Sequence, residues 1–356
     1  MDKYIAAVEN TKANILCSLS TLQFMTIDQL FDSFNTLRVL IVGDVMLDAY
    51  IWGKVDRISP EAPVPVVVAQ RREYRLGGAG NVILNVHALG AEPIICSVIG
   101  QDTEGKNLLG ELEKRGLRTD GILQSPDRIT TVKERIIAGS QQVVRVDTET
   151  DKVITLEEQS QLIDKAKALI PDCHVVLFQD YDKGVLCPNV IKEITDFANL
   201  HGIPTVVDPK KRNFLAYQNV TLFKPNLKEL KEGLKVEFDV KKEDELRAVV
   251  KKLRYELNAK GAFVTLSERG VYIDFLDQQH RIPAHEREIA DVSGAGDTVI
   301  SIAACAVALG LEPNIVAELS NLGGGLVCEH VGVVPIDKET LKAEARKSLL
   351  LAQSEG

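Results

Sequence analysis

Aromatic side chains are scarce, 5% of 356 residues with a single Trp, and basic residues are outnumbered, 42 Lys+Arg against 51 Asp+Glu for a net charge of −9. A surface that follows nucleic-acid phosphates needs a Lys/Arg-rich face, so no nucleic-acid partner is expected. No apolar run approaches the ~18 residues of a membrane span, and the longest helical stretch, near Val299–Leu309, is broken by Ser301. A membrane is not an expected partner either. The chain opens with Asp2, Lys3 and Glu9 rather than a basic segment followed by an apolar one, which points to the cytoplasm. Cys17, Cys96, Cys173, Cys187, Cys305 and Cys328 form no C-x-x-C pair, and the six His fall into no H-E-x-x-H spacing. Buried free thiols are expected, and a tightly held zinc is not. What is present is ordinary for a folded chain: 45% hydrophobic residues, enough core for two domains or for one large α/β domain with an excursion.

Residues 1–36 read as a helical extension. Ile5, Val8, Leu16, Leu19 and Leu22 recur at helix-like intervals, and Thr26-Ile27-Asp28 offers a second helix start. From Arg38 the rhythm changes to short Val/Ile-rich runs alternating with helical stretches. Val39–Val42, Ile94–Ile99, Val175–Phe178, Thr205–Val207, Thr221–Phe223 and Ala262–Leu266 read as strands, apolar on both faces. The fold class is α/β, a doubly wound and mostly parallel sheet with helices on both faces. Two segments, about 49–76 and 127–147, break the pattern with Pro60, Pro63 and Pro65 and with a hairpin around Ala138-Gly139-Ser140. They are expected to be strands of a small lid sheet, so that 37–356 is one domain.

Four glycine-rich stretches compete for a phosphate-binding role. Gly100–Asn107 nearly has P-loop spacing but ends on Asn107, where a hydroxyl is needed on Mg²⁺. Gly77-Gly78-Ala79-Gly80-Asn81 lacks the third glycine of a dinucleotide fingerprint, which removes the main support for a dehydrogenase. Gly323-Gly324-Gly325 lies in a helical pattern and suits close helix packing. The strongest is Asp291-Val-Ser293-Gly294-Ala295-Gly296-Asp297, which opens an apolar helix. Unpaired N–H groups at the positive end of that helix make an anion site. Asp297 in the first turn could simply favour the helix dipole; beside two turn glycines it also suits a proton acceptor in phosphoryl transfer. At a helix start its pKa is expected to be low.

The two glycine signatures, with Gly43-Asp44 after the first strand and Asn226-x-x-Glu229 between them, resemble the ribokinase-like (PfkB) carbohydrate kinases from about Arg38 to Pro335. The resemblance implies an enzyme that moves a phosphoryl group from ATP, with Mg²⁺, to an alcohol, and K⁺ as a further cation. It implies Asp297 as base and Gly294, Ala295 and Gly296 as anion hole. Asp44, Gly78 and Asn81 fall at sugar-binding positions. Asn226 and Glu229 fall where Mg²⁺ and the nucleotide phosphates are organised, Ser267, Gly270 and Asn321 where the nucleotide is lined, and Asp291 and Ser293 where a monovalent cation is held. The segments around Asp48, Arg57, Asp180 and Asp208 are similar to the branch acting on D-glycero-β-D-manno-heptose 7-phosphate. One departure is Lys224 before Pro225-Asn226, where that branch usually carries an uncharged residue. No H-x-G-H motif of a nucleotidyltransferase follows, which suggests a stand-alone kinase.

A sugar phosphate needs a cationic clamp, for which Lys133, Arg135 and Arg145 on the lid and Arg57 and Lys183 are candidates. Asp180, Asp208 and Lys210 complete the expected substrate set. A kinase of another sugar or nucleoside, or a non-catalytic sensor, are the alternatives. Open edges and an apolar face on a small lid sheet suggest a homodimer.

Overall fold

The computed structural model of the protein describes residues 25–139 and 141–354, with side chains to residue 348. Most of the expected N-terminal extension, residues 1–24, lies outside the described residues. A short helix, Ile27–Ser33, does start at Thr26, whose hydroxyl and the Gln29 side chain close a reciprocal capping box.

The strands in chain order are β1 (Arg38–Gly43), β2 (Val45–Ile58), β3 (Pro65–Gly78), β4 (Glu92–Gly100), β5 (Ile122–Ser125), β6 (Val132–Ala138), β7 (Gln141–Thr148), β8 (Val175–Gln179), β9 (Thr205–Asp208), β10 (Leu222–Phe223), β11 (Gly261–Thr265), β12 (Val271–Phe275) and β13 (Gln278–Ile282). Among the described residues they form two sheets. The larger has the order β13-β12-β11-β10-β9-β8-β1-β4-β5, parallel from β11 to β5. Val39, Leu40, Ile41 and Val42 are fully buried, as strands covered by helices on both faces must be. The six strands read from the sequence are all present; β5 and the antiparallel hairpin β12–β13 are additional.

The smaller sheet has the order β3-β2-β6-β7. Its two 14-residue strands leave the larger sheet together: β2 begins two residues after β1 ends, and β3 pairs back along it from Ile58↔Pro65 to Val45↔Gly78, with register shifts at Trp52/Gly53 and Val55/Arg57. β3 runs directly into the helix Ala79–Ala88, which packs against the helix Ala295–Ala308. The triple glycine acts as expected. A Cβ on Gly323 or Gly324 would meet Ile302 or Val299 of the neighbouring helix at 2.1 and 2.6 Å, so bare backbone permits the helix Pro313–Val327 to approach. The near P-loop at Gly100 is a helix start: Asp102 caps Gly105 N–H at 2.7 Å and binds Thr130.

Candidate active site

The carboxyl ends of β1, β8, β9 and β10 meet the start of the helix Ala295–Ala308, the crevice where open α/β sheets bind ligands. At the helix start Gly294 has φ +82°, and its missing side chain leaves room for Val333 and Asn81. Asp297, one turn in, is buried. It accepts hydrogen bonds from Asn81 Nδ2 (2.7 Å), from the Tyr181 hydroxyl (2.6 Å) and from Gln179 Nε2 (3.3 Å). The helix start was expected to keep its pKa low. Burial does the reverse, pushing it up to about 6 against the opposing pull of the Tyr181 and Asn81 bonds. Desolvation outweighs the dipole because the carboxyl faces the interior.

Beside the turn lies a buried ion pair, Lys224 Nζ to Asp208 Oδ1 at 3.1 Å. A Cβ on Gly296 would stand 3.9 Å from Lys224 Nζ and 4.0 Å from Asp208 Oδ2. Glycine therefore leaves a cradle floored by an ammonium and bounded by helix N–H groups, donors that fit a phosphate oxyanion.

Next to Asn81 a cavity of about 730 Å³ opens between the smaller sheet and the helices, lined by Asp48, Tyr50, Glu73, Arg75 and Val333. Asp48 bonds Arg135 Nη1 at 2.5 Å, and the guanidinium groups of Arg135 and Arg75 lie 5.4 and 4.8 Å from the Tyr50 ring centre. Lys133 is half-buried on β6, in register with Asp48.

Several expected ligands are engaged by other groups of the protein. Asp44 does not face this cavity: its carboxylate is 1% exposed and accepts from the backbone N–H groups of Tyr181, Lys183 and Val185. Asp48, four residues on, lines the cavity together with Glu73 and Glu111. Asp180 is also turned inward, bonded by the Tyr217 hydroxyl and Asn213, and burial pushes its pKa up to about 6. Lys183 pairs with Glu149, and Arg145 with Asp147 on an exposed strand. Asp208 is held by Lys224, and Asn321 donates to the Pro283 carbonyl. Gly78 carries φ +59° against the Asp44 carbonyl, a turn that makes the β3-to-helix junction.

Asn226 and Glu229 form the capping box of the helix Leu227–Leu234, and Glu229 Oε1 also takes Lys210 Nζ at 2.7 Å. Asn226 bridges β11 at Thr265, just before Ser267 and Gly270, whose positive φ angles make the turn into β12. Among the described residues no three His, Cys, Asp or Glu are arranged to hold a metal. Both Glu229 oxygens already have partners, as do those of Asp291, bonded by Ser293 N–H and Gly332 N–H. These bonds leave lone pairs on both carboxylates, so the expected places of Glu229, Asp291 and Ser293 beside Mg²⁺ and a monovalent cation stand as proposals. A Mg²⁺ carried by nucleotide phosphates needs only one or two carboxylates, through water where necessary, and Glu229 fits that lesser role.

Tyr181, Gln179, Asp48 and Arg75 were not among the expected site residues. For Asp48 a signal existed: β2 alternates Asp48, Tyr50 and Trp52 on one face, unusual for a strand otherwise apolar at its start. Nothing local marks Gln179 or Tyr181 as neighbours of Asp297.

Residues 36–340 match the model of the pfkB family carbohydrate kinases. The bifunctional protein HldE of Geotalea uraniireducens is 38% identical over 319 residues, and that of Nitratiruptor sp. 42% over 318; each match takes in 89% of this chain. The chain spans 65% of the first relative's length and 67% of the second's. In fold it is similar to phosphofructokinase-2 from Escherichia coli in complex with potassium (TM-score 0.70, 17% identity, 86% of this chain and 99% of that one). It is also similar to Arabidopsis thaliana ribokinase complexed with ribose and ATP (TM-score 0.65, 15% identity, 86% and 98%). Ribokinase-like in fold, the chain belongs to the pfkB family of carbohydrate kinases, phosphotransferases with an alcohol group as acceptor.

Proposed function

We propose that this kinase transfers the γ-phosphoryl group of ATP to the anomeric hydroxyl of D-glycero-β-D-manno-heptose 7-phosphate, giving the 1,7-bisphosphate. The observation that carries the chemistry is Asp297, buried behind the Gly294–Gly296 turn, with a pKa about 6 and two close donors fixing its orientation. Phosphoryl transfer asks the protein for positioning, charge stabilisation and a place for the alcohol proton. Asp297 takes that proton, and a pKa near neutrality suits it to do so. The N–H groups of the turn receive the oxyanion charge. ATP supplies the phosphoryl group and the charge of its chelated Mg²⁺; Asn226, Ser267 and Gly270 lie on the side where its phosphates and base would rest. Support for the sugar comes from the segments shared with the heptose-phosphate branch and from the likeness to the HldE proteins. Asp48 grips sugar hydroxyls, and Arg135 with Lys133 supplies cationic charge for the distal phosphate.

The test is turnover of ATP with the heptose 7-phosphate against fructose 6-phosphate, fructose 1-phosphate, ribose and adenosine, with product regiochemistry by phosphorus NMR. Fastest turnover on any other acceptor overturns the substrate. Asp297→Asn should abolish turnover while nucleotide binding persists, and a near-normal rate removes Asp297 as base.

We also propose a homodimer formed through the smaller sheet. Val144 and Val146 on its edge strand β7 are 45% and 46% exposed, and Val144 continues a stripe through Ile136 to Ile51. A second copy covering them would bury that stripe and close the open edge.

A further inference from the structure

The pair Lys224–Asp208 is 3% and 7% exposed, and taking two charges out of water costs about as much as their attraction returns. An apolar pair of similar volume would hold β9 to β10 as well, so stability alone does not account for it. Its position does: it borders the cradle at Gly296. A lone ammonium there would oppose the positive end of the helix Ala295–Ala308, which explains why a carboxylate must accompany it. A second observation joins the pair to the candidate base. Gln179, 1% exposed, spans Asp297 Oδ1 at 3.3 Å and Asp208 Oδ2 at 3.5 Å with its Nε2, and its own Oε1 is buried with no partner among the described residues. One amide thus fixes the base relative to the cation, with an acceptor left over for an incoming donor such as a hydroxyl.

We infer that Lys224 contacts the phosphoryl group during its transfer, and that Asp208 holds the ammonium in place until that group arrives. The inference rests on the phosphotransfer reading above. In the transfer the sugar hydroxyl oxygen forms a bond to the γ-phosphorus. The bond from that phosphorus to the β–γ bridging oxygen breaks, its electron pair leaving with ADP, and the hydroxyl proton passes to Asp297. The charge on the three equatorial oxygens then faces a full positive charge in a dry site as well as the turn's N–H dipoles.

The experiment is calorimetric titration of the wild type and of Lys224→Met with ADP and with AMP-PNP, the imido analogue of ATP, both with Mg²⁺. AMP-PNP should bind more weakly by on the order of 10- to 100-fold, the range of one hydrogen bond to a charged group, while ADP, which lacks the γ-phosphoryl, is nearly unchanged. Equal effects on both nucleotides overturn the role of Lys224 and leave the kinase reading standing. Failure of the wild type to bind either nucleotide overturns both. Because Lys224→Met strands a buried carboxylate, the double variant Asp208→Asn, Lys224→Met is measured beside it. It should melt near the wild type and show the same selective loss, and recovery of AMP-PNP affinity in it overturns the assignment.

Discussion

Asp297 is subject to opposed effects, burial raising its pKa and two short hydrogen bonds lowering it, and the balance lies at about 6. Proton acceptance needs the ionised carboxylate. The value of kcat/KM for the acceptor should therefore rise with pH through about 6 and level off above it. Tyr181→Phe removes a donor that favours the charged form, so the acidic limb should move to higher pH; a limb that does not move places the ionisation on another group. At this scale the site was partly legible. Asp297, its turn glycines and Asn81 announce themselves because a glycine turn before an apolar helix has a local signature. The choice between Asp44 and Asp48 has none. The proposal of Asp48 rests on the backbone N–H groups of Tyr181, Lys183 and Val185, more than 130 positions away, which engage the Asp44 carboxylate. Lys224 gains its meaning in the same way, from Asp208 on the adjacent strand.

The elements that bring these residues together are strand ends, and the loop after β8 depends on one of them. Asp44 collects three of its N–H groups within 3.1 Å, with the geometry of a staple. Asp44→Asn sets an amide donor against those donors and should lower stability by about 2–4 kcal/mol, the range for breaking a buried, charged hydrogen-bond network. Urea unfolding measures it, and a loss under about 0.5 kcal/mol, typical of surface changes, would mean that the loop stands without the staple. The parallel strands were readable from their apolar runs, since burial on both faces leaves no polar alternation to confuse them. The hairpin β12–β13 was not. Its turn is Leu276-Asp277, both at positive φ, and a leucine in that conformation carries none of the Asn-Gly or Asp-Gly chemistry by which such turns are recognised.

At the scale of the whole molecule, the class of fold followed from alternating apolar runs, and the excursion followed from their interruption. Which edge of the excursion stays exposed did not, because an exposed valine in a sequence looks like a buried one. If two copies clasp through β7, Val144→Asp with Val146→Asp should yield monomers by analytical ultracentrifugation, and a wild type that is itself monomeric overturns the dimer.

The cleft has two ends that rest on different sheets. Asp208, Lys224 and the approach to Asp297 belong to the larger sheet and its covering helices, while Asp48, Tyr50, Arg75 and Arg135 belong to the smaller one. On the proposed reading, substitutions in β2, β3 and β6 alter which molecule is gripped while the residues assigned to the phosphoryl group stay fixed. Such a division would let acceptor preference change through a few cavity-lining positions of the smaller sheet while the residues around Asp297 are kept.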